Sequence, residues 1–592
     1  MIYNTNQKHN YKIEKVVSGL PDAASFGAFP IGTKLTVRFY ISRKAAASDV
    51  TLMIYNDDTC AAIEQSLNFA GIEYGSDIYT TELHLIEPAL MFCKIRYNAN
   101  YTHEFQLSVY DKNYTSPDWI KGGGIYQIFV DRFAKSDKQI KPKKDTVPYS
   151  GTPLYPEKPG DPIDNNDFYG GDLYGAADKL DYIKSLGCNC VYLNPIFEAR
   201  SNHKYDTGDY NKIDSMFGGD TAFDYFIAEA KKRDIHVILD GVFNHTGADS
   251  RYFNKFGTYQ TKGAYQSKRS PYYQWYKFKS YPDDYDCWWG VDILPAVDDS
   301  NKSYREFMCG ENGIIRKYIR KGISGWRIDV ADELSEDFIE DINQAAKAEN
   351  PESFIIGEVW EDASNKIAYG KRRHYFCGGQ LDSVMNYPLR GAVIDFIKHG
   401  DSENLYKTAS EIYERYPKHI CDSLMNILGT HDTERIISVL GSDKHTDKTN
   451  AELAVLKLTD NEYKLAIDKV KLAYLICATM YGVPCVYYGD EAGMEGYRDP
   501  FNRRCYPWGN EEAILIRWYQ QIGQLRINNH EFADGLFQPL HHSDGVIVYQ
   551  RNQTVIAVNV SDADFTWDNF TVPSMSGIVI RNGRIILSSV CS

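Results

Sequence analysis

The sequence predicts an α/β protein built on a (β/α)8 barrel, with an inserted small domain after strand 3, an N-terminal β-sandwich and a C-terminal β domain. Three observations predict it. From about residue 117 to 510, apolar runs of strand length alternate with helical patterns. Charged residues gather where those runs end. The chain on either side has an all-β texture. The 592 residues leave room for three or four units of ~150 residues. At 43% hydrophobic and 24% charged, the composition is that of an ordinary soluble globular protein.

Residues 1 to about 116 carry short β-branched and aromatic runs broken by turn residues: "KLTVRFYIS", "VTLMIYN", "HLIEPALMFCKIRY" and "HEFQLSVY". This is the pattern of a β-sandwich. "DKNYTSPDWIKGGG" then reads as a linker, since Pro and consecutive Gly break regular structure.

After Gly124 the texture changes. "GDLYGAADKLDYIKSLG" places Leu173, Ala176, Leu180 and Ile183 on one helix face, and Gly187 ends it. The strand "CNCVYLNP" follows at once. The unit recurs: "FIAEAKKRD" before "IHVILDGVFN", "IIRKYIRKG" before "ISGWRIDVA", "DINQAAKAENPE" before "SFIIGEVW", and "AYLICATMYG" before "VPCVYYGDE". With "GIYQIFVDRF", "LDSVMNYP" and "SLMNILGTHD" this makes eight strands. Near-continuous apolar strands separated by helices form a parallel sheet buried on both faces. A closed barrel fits eight of them, with an open doubly wound sheet as the alternative. The tract from about 246 to 304, rich in Tyr, Trp, Asp and Pro, is too long for a structureless connection and reads as the inserted domain. From about 511 to 592, a helix leads into short β runs such as "GVIVYQR" and "TVIAVNV".

Several function classes drop out. The net charge of −15 argues against a nucleic-acid or anionic-membrane surface. No run of about 18 apolar residues is present, so no spanning helix is expected. The opening "MIYNTNQKHNYKIEKV" lacks a basic then apolar leader, so no signal peptide is expected. The 12 Cys are scattered with no C-x-x-C pair, which reads as free thiols in a reducing cytoplasm. Aromatics are abundant at 14%, with 45 Tyr, a composition suited to sugar stacking or simply to aromatic packing.

In such a barrel, catalytic groups sit at the C-terminal ends of the strands. Here those ends carry Asn194, then Asp240, Asn244 and His245, then Arg327 and Asp329, then Glu358, then His431 and Asp432, and last Asp490 and Glu491. One carboxylate at a strand end is a common cap. Several, with two His and an Arg, call for chemistry. Carboxylates that face each other suit glycoside hydrolysis, which needs one protonated and one ionised. Arg327 and Asp329 lie two residues apart and so on one side of the strand. A cation there keeps Asp329 ionised, as a nucleophile requires. Glu358, flanked by Val359 and Trp360, has no cation near it in sequence. An apolar setting favours its protonated form, as a general acid requires. A divalent-metal site built from His245, Asp329, Glu358, His431 and Asp432 is the competing reading, but no H-x-H or H-E-x-x-H spacing supports it.

Four of these segments, "DGVFNH", "GWRIDVADE", "GEVW" and "GTHD", occur in the order and positions of the motifs of the α-amylase family of glycoside hydrolases (family 13), which the barrel region resembles. The resemblance implies Asp329 as nucleophile, Glu358 as acid/base and Asp432 as a third carboxylate gripping sugar hydroxyls. It implies that Asn194, His245, Arg327 and His431 surround the reacting sugar. Within the family the chain looks most like the neopullulanase, cyclomaltodextrinase and maltogenic amylase group. "NPIFEARSNHKYDTGDY" supplies His203 and Tyr205 as sugar contacts, and "DPFNRRCYPW" supplies Asp499 and Arg503 on the non-reducing side. Glu333 borders the leaving-group side, where Asp332 replaces the usual Asn. "LPAVD" only partly matches the group's Met-Pro-Lys-Leu.

The resemblance implies retaining hydrolysis of α-1,4 bonds in maltooligosaccharides, cyclodextrins or pullulan. It also implies pairing of two copies through the N-terminal module. The alternatives are an α-glucan transglycosylase of the same fold and a non-catalytic glucan-binding protein, which would be expected to lose carboxylates. No cofactor is required. Many relatives bind calcium in a loop after the first strand, but here "FAKSDKQIKP" puts Lys135, Ile140 and Lys141 where oxygen ligands would stand. Asp137, Asp172 and "DPIDNND" are what remains, so calcium is disfavoured and no metal ligand is assigned.

Overall fold

The computed structural model describes residues 2–4, 10–17, 28–57, 59–140, 142–149, 151–158, 161 and 165–590. The predicted strands form one eight-stranded parallel sheet: β1 (Ile125–Ile128), β2 (Cys190–Leu193), β3 (His236–Gly241), β4 (Gly325–Ile328), β5 (Phe354–Gly357), β6 (Ser383–Val384), β7 (Met425–Ile427) and β8 (Val483–Tyr487). β1 pairs with both β2 and β8. A parallel bridge from Met385 to Met425, with Asn386 N–H donating to the Met425 carbonyl at 2.9 Å, joins β6 to β7 and closes the barrel. Closure removes the free sheet edges that an open sheet would leave.

Alternation along each strand sorts the side chains. Ile125, Tyr192, Ile238, Ile356, Ile427 and Cys485 fill the barrel interior. Val191, Leu239, Trp326, Ile328 and Ile355 pack outward beneath the helices. Burial on both faces explains why these strands read as unbroken apolar runs. The period of two sends Gly325 and Arg327 inward when Trp326 and Ile328 point outward.

The run Gly171 to Gly187, read as one helix, is two: Leu173–Asp178 and Leu180–Ser185, meeting at Lys179. Asp172 caps the first, its Oδ1 accepting from Gly175 N–H at 2.8 Å. Gly187 ends the second at φ +82°, and a Cβ there would meet Gly523 Cα at 2.4 Å. Only glycine fits both that backbone and that approach.

On the N-terminal side, two antiparallel layers face each other. One contains Tyr11–Val17, Lys34–Ser42, Ser76–His84 and Asn68–Glu73; the other Phe105–Tyr110, Ala89–Tyr97, Thr51–Asn56 and Ala61–Ser66. Leu35, Val37, Phe39 and Ile41 alternate inward and share one core with Leu52, Ile95 and Val109. On the C-terminal side, the helix Ala513–Ile527 leads to a five-stranded antiparallel sheet running from Phe537 to Ser588.

The segment after β3 packs Tyr252, Phe253, Trp275 and Tyr276 against the barrel's outer core. Its returning leg bonds back to the end of β3: Val297 N–H donates to Asn244 O at 2.9 Å and Thr246 N–H to Pro295 O at 3.1 Å. That return sets Trp288, Trp289 and Leu294 over the C-terminal mouth of the barrel. Among the described residues, no helix is long and apolar enough to cross a membrane.

Candidate active site

The strand ends open into a cavity of about 1050 Å³. His203, Tyr205, His245, Asp329, Glu333, Glu358, His431, Asp432, Asp499 and Arg503 all line it. Two other expected binding residues lie beneath its floor: Arg327 and Asn194 are buried and reach the cavity only through their neighbours. A second cavity of about 1000 Å³, bordered by Gln521, Gln524 and Arg584, lies against the C-terminal sheet, away from these carboxylates.

Arg327 is the hub. Its Nη1 donates to Asp240 Oδ1 at 2.8 Å and to Asp329 Oδ1 at 2.6 Å. Its Nη2 lies 2.9 Å from Glu358 Oε2. The expectation that Glu358 stands clear of any cation is therefore corrected. β4 and β5 are neighbours in parallel register, with Ile328 opposite Gly357, so the next inward residues, Asp329 and Glu358, both meet the guanidinium. Sequence distance hid a contact that strand pairing creates.

Burial pushes the Asp329 and Asp240 carboxyls up. Arg327 pulls both down, and Glu358 and Asp240 add to the rise at Asp329. The net shift at Asp329 is upward, so the expectation from strand alternation that the cation alone keeps Asp329 in the ordinary carboxylate range is corrected: burial outweighs Arg327.

Backbone strain contributes. Val330 has φ 41° and ψ 54°, a conformation that β-branched residues avoid. It costs roughly 1–3 kcal/mol and persists only where the surroundings impose it. Here it turns the Val330 N–H onto Glu358 Oε2 at 2.9 Å. Trp360 Nε1 donates to Glu358 Oε1 at 3.2 Å, and its ring stacks on Tyr387 with centroids 3.9 Å apart. Glu358 is thus fixed at both oxygens.

A second network orients the opposite wall. The Tyr205 hydroxyl lies 2.7 Å from Asp240 Oδ2 and 2.7 Å from His431 Nε2, and it accepts from Asn194 Nδ2 at 3.0 Å. Its ring stacks on His431 with centroids 5.1 Å apart. Gln127 Nε2 donates to Asn194 Oδ1 at 3.1 Å and lies 3.1 Å from His431 Nδ1. A donor at Nδ1 leaves the imidazole proton on Nε2, facing Tyr205 and Asp432. Burial, then Arg503 and Arg327, hold the His431 pKa well below its usual value, so the ring is neutral. Burial likewise brings His245 down to about 4, and its Nε2 has no hydrogen-bond partner among the described residues. That buried nitrogen is available to a ligand hydroxyl. Arg503 Nη2 lies 3.4 Å from Asp432 Oδ1 and its Nη1 3.2 Å from Asp499 Oδ2.

Sequence reading missed Gln127, Trp360 and Trp289 as parts of this site. Gln127 did leave a signal, being a lone amide inside the apolar run "GIYQIFV".

In the loop after β1, the main carboxylate is already engaged. Asp172 Oδ2 accepts from Ser136 N–H at 2.9 Å and Ser136 Oγ at 3.0 Å, while Oδ1 caps a helix. Asp167 Oδ1 accepts from Asn202 and Oδ2 from Leu154 N–H. No group of three His, Cys, Asp or Glu among the described residues is placed to hold a metal. Part of "DPIDNND", residues 162–164, lies outside the described residues.

The model of the α-amylase catalytic domain matches residues 127–531. An amylopullulanase of Thermoanaerobacterium saccharolyticum is 37% identical over 526 residues, which cover 78% of this chain and 40% of that protein. A cyclomaltodextrinase of a Bacillus species is 33% identical over 434 residues, 71% of this chain and 68% of that one. The solved cyclic α-maltosyl-(1→6)-maltose hydrolase of Arthrobacter globiformis superposes with TM-score 0.68 at 26% identity, covering 79% of this chain and 100% of that chain. The chain spans only two fifths or less of the length of the amylopullulanases it matches.

Proposed function

The chain belongs to the α-amylase family, and on that premise we propose that it hydrolyses α-1,4-glucosidic bonds of maltooligosaccharides, cyclodextrins or pullulan with retention of configuration. The observation that carries the reading is the single guanidinium of Arg327 touching both Asp329 and Glu358 on the cavity floor. Two carboxylates held by one small cation suit the short separation of about 5–5.5 Å that a retaining mechanism uses.

In this reading, Asp329 attacks the anomeric carbon and Glu358 gives its proton to the departing glycosidic oxygen. Glu358 then takes a proton from water, whose oxygen displaces Asp329. Arg327 steadies the anion left at Asp329. Neutral His431, His245 Nε2 and Asp432 hold sugar hydroxyls, and Tyr205 offers its ring face to the sugar. Asp499 and Arg503 continue that wall on the non-reducing side. Transfer to a sugar instead of water uses the same glycosyl-enzyme.

Incubation with maltoheptaose, β-cyclodextrin and pullulan, with sizing of the products and NMR of the first-formed anomer, tests the proposal. Release of α-anomeric products supports it. Initial release of β-anomers, or no turnover of any of the three, contradicts it.

Two finer statements belong to the same reading. All described cysteines are free thiols, which supports a reducing cytoplasm. The edge strands Ala61–Ser66 and Asn68–Glu73 expose Ile63, Phe69 and Ile72, which supports pairing of two copies through this module. A monomer by light scattering at micromolar concentration would contradict the pairing.

A further inference from the structure

The cavity of about 1000 Å³ beside the C-terminal sheet has a lining unlike the rest of the chain. Guanidiniums from Arg517, Arg581 and Arg584 line it, together with amide and aliphatic side chains, and no carboxylate or aromatic ring does. The whole chain carries 80 Asp and Glu against 65 Lys and Arg. A pocket with three cations and no acid reverses that balance.

Two elements build it. Along the helix Ala513–Ile527 and just past its end, Arg517, Gln521, Gln524 and Asn528 recur at i, i+4, i+7 and i+11, and so share one face. The facing wall is the hairpin of Ser576–Arg581 and Arg584–Ser588. Its two turn residues, Asn582 and Gly583, have φ of 51° and 67°. Positive angles at both positions make the tight hairpin turn for which Asn-Gly is suited. That turn sets Arg581 directly opposite Arg584. Opposed residues of an antiparallel pair lie on one face of the sheet, and like charges there repel.

The surroundings answer only part of this charge. Arg581 Nη2 lies 3.1 Å from Glu531 Oε1, and its Nη1 donates to Asn529 Oδ1 at 2.6 Å. Its Nε is buried with no hydrogen-bond partner among the described residues. Neither Arg517 nor Arg584 has a carboxylate partner among the described residues. The end of the helix adds about half a negative charge. One carboxylate and that half charge leave the three guanidiniums in excess.

We propose that this groove is a binding site for a phosphorylated sugar, with the phosphate held by Arg581 and Arg584 at the hairpin and by Arg517 across from them. A guanidinium matches phosphate oxygens with paired N–H donors. The amides of Gln521, Gln524 and Asn528 both donate and accept, as sugar hydroxyls do. Leu525 and Ile586 give the C–H face of a sugar an apolar surface. A nucleotide fits less well, since no ring in the lining offers its base a stacking partner. The groove shares no lining residue with the cavity that holds Asp329 and Glu358, so the proposal stands independently of their assignment.

Isothermal titration calorimetry of the full chain, in a phosphate-free buffer of low ionic strength, tests it with glucose 6-phosphate, inorganic phosphate and glucose as probes. Glucose 6-phosphate should bind one to one and at least about tenfold more tightly than either of the others. Arg517→Glu and Arg584→Glu alter exposed side chains, so the fold should hold. Each should weaken glucose 6-phosphate binding by about tenfold or more, with the melting temperature and the hydrolysis of maltoheptaose unchanged. No binding of glucose 6-phosphate overturns the site. Inorganic phosphate bound as tightly as the sugar phosphate overturns the role of the amides, and glucose bound as tightly overturns the role of the guanidiniums. Binding unchanged in both variants overturns the placement in this groove.

Discussion

The guanidinium of Arg327 lies 2.9 Å from the Glu358 carboxylate. The same group holds Asp329 at 2.6 Å, so one cation governs both members of the proposed catalytic pair. A lysine offers a point charge that cannot span Asp240, Asp329 and Glu358 together. Arg327→Lys is expected to lower kcat/KM by about a hundredfold or more. Arg327 also pulls the Asp329 carboxyl down, so weakening it should move the acidic limb of the pH–rate profile to higher pH. Activity within about tenfold of the unaltered protein, with the acidic limb unmoved, would contradict the hub role.

Tyr205→Phe removes the hydroxyl that meets Asp240, His431 and Asn194 but keeps the ring that stacks on His431. Loss of a hydrogen bond to a charged group is worth about 1.5–3 kcal/mol. A drop of roughly 10- to 100-fold in kcat/KM is expected, with the far-ultraviolet circular dichroism unchanged. Steady-state kinetics on maltoheptaose decide it.

Glu491 links stability to pH. It is fully buried at the end of β8 and accepts from Tyr126 and Tyr182 hydroxyls at 2.6 and 2.9 Å. Burial raises its pKa to about 7, above the ordinary 4.5. The folded state therefore binds this proton more tightly than the unfolded state. Its contribution is full below the unfolded pKa and is lost as pH rises through about 7. Glu491→Gln has no such proton, so its stability deficit against the unaltered protein should shrink as pH rises from about 5 to about 8. Urea unfolding across that range measures it, and a deficit that grows with pH would contradict the reading.

Both oxygens of Asp172 are already engaged within the loop after β1, where the family resemblance raised the question of calcium. We therefore expect no change in activity or melting temperature with EDTA. A fall of several degrees, restored by calcium and by no other divalent ion, would show that residues of this loop bind the metal after all.

The barrel was legible because strands buried on both faces must be apolar throughout, so "VILDG" and "FIIGE" announce themselves and their polar ends stand out. The pairing of Arg327 with Asp329 followed from the two-residue alternation of a strand. The contact between Arg327 and Glu358 did not, because it depends on which strands are neighbours, and no local pattern encodes that. The break at Lys179 was hidden for a related reason. The apolar stripe continues across it, and periodicity reads the stripe rather than the backbone. Trp289 sits in an irregular segment, where sequence periodicity carries no signal.

Peptide mapping by mass spectrometry of Glu358→Gln after reaction with α-maltosyl fluoride tests the role of Asp329 as nucleophile most directly. Fluoride leaves without an acid, so the first step proceeds, while the missing base slows release of the glycosyl-enzyme. A maltosyl adduct is expected on the peptide that carries Asp329, localised to that residue. An adduct on Asp240 or Asp432, or rapid turnover with no adduct, would contradict it.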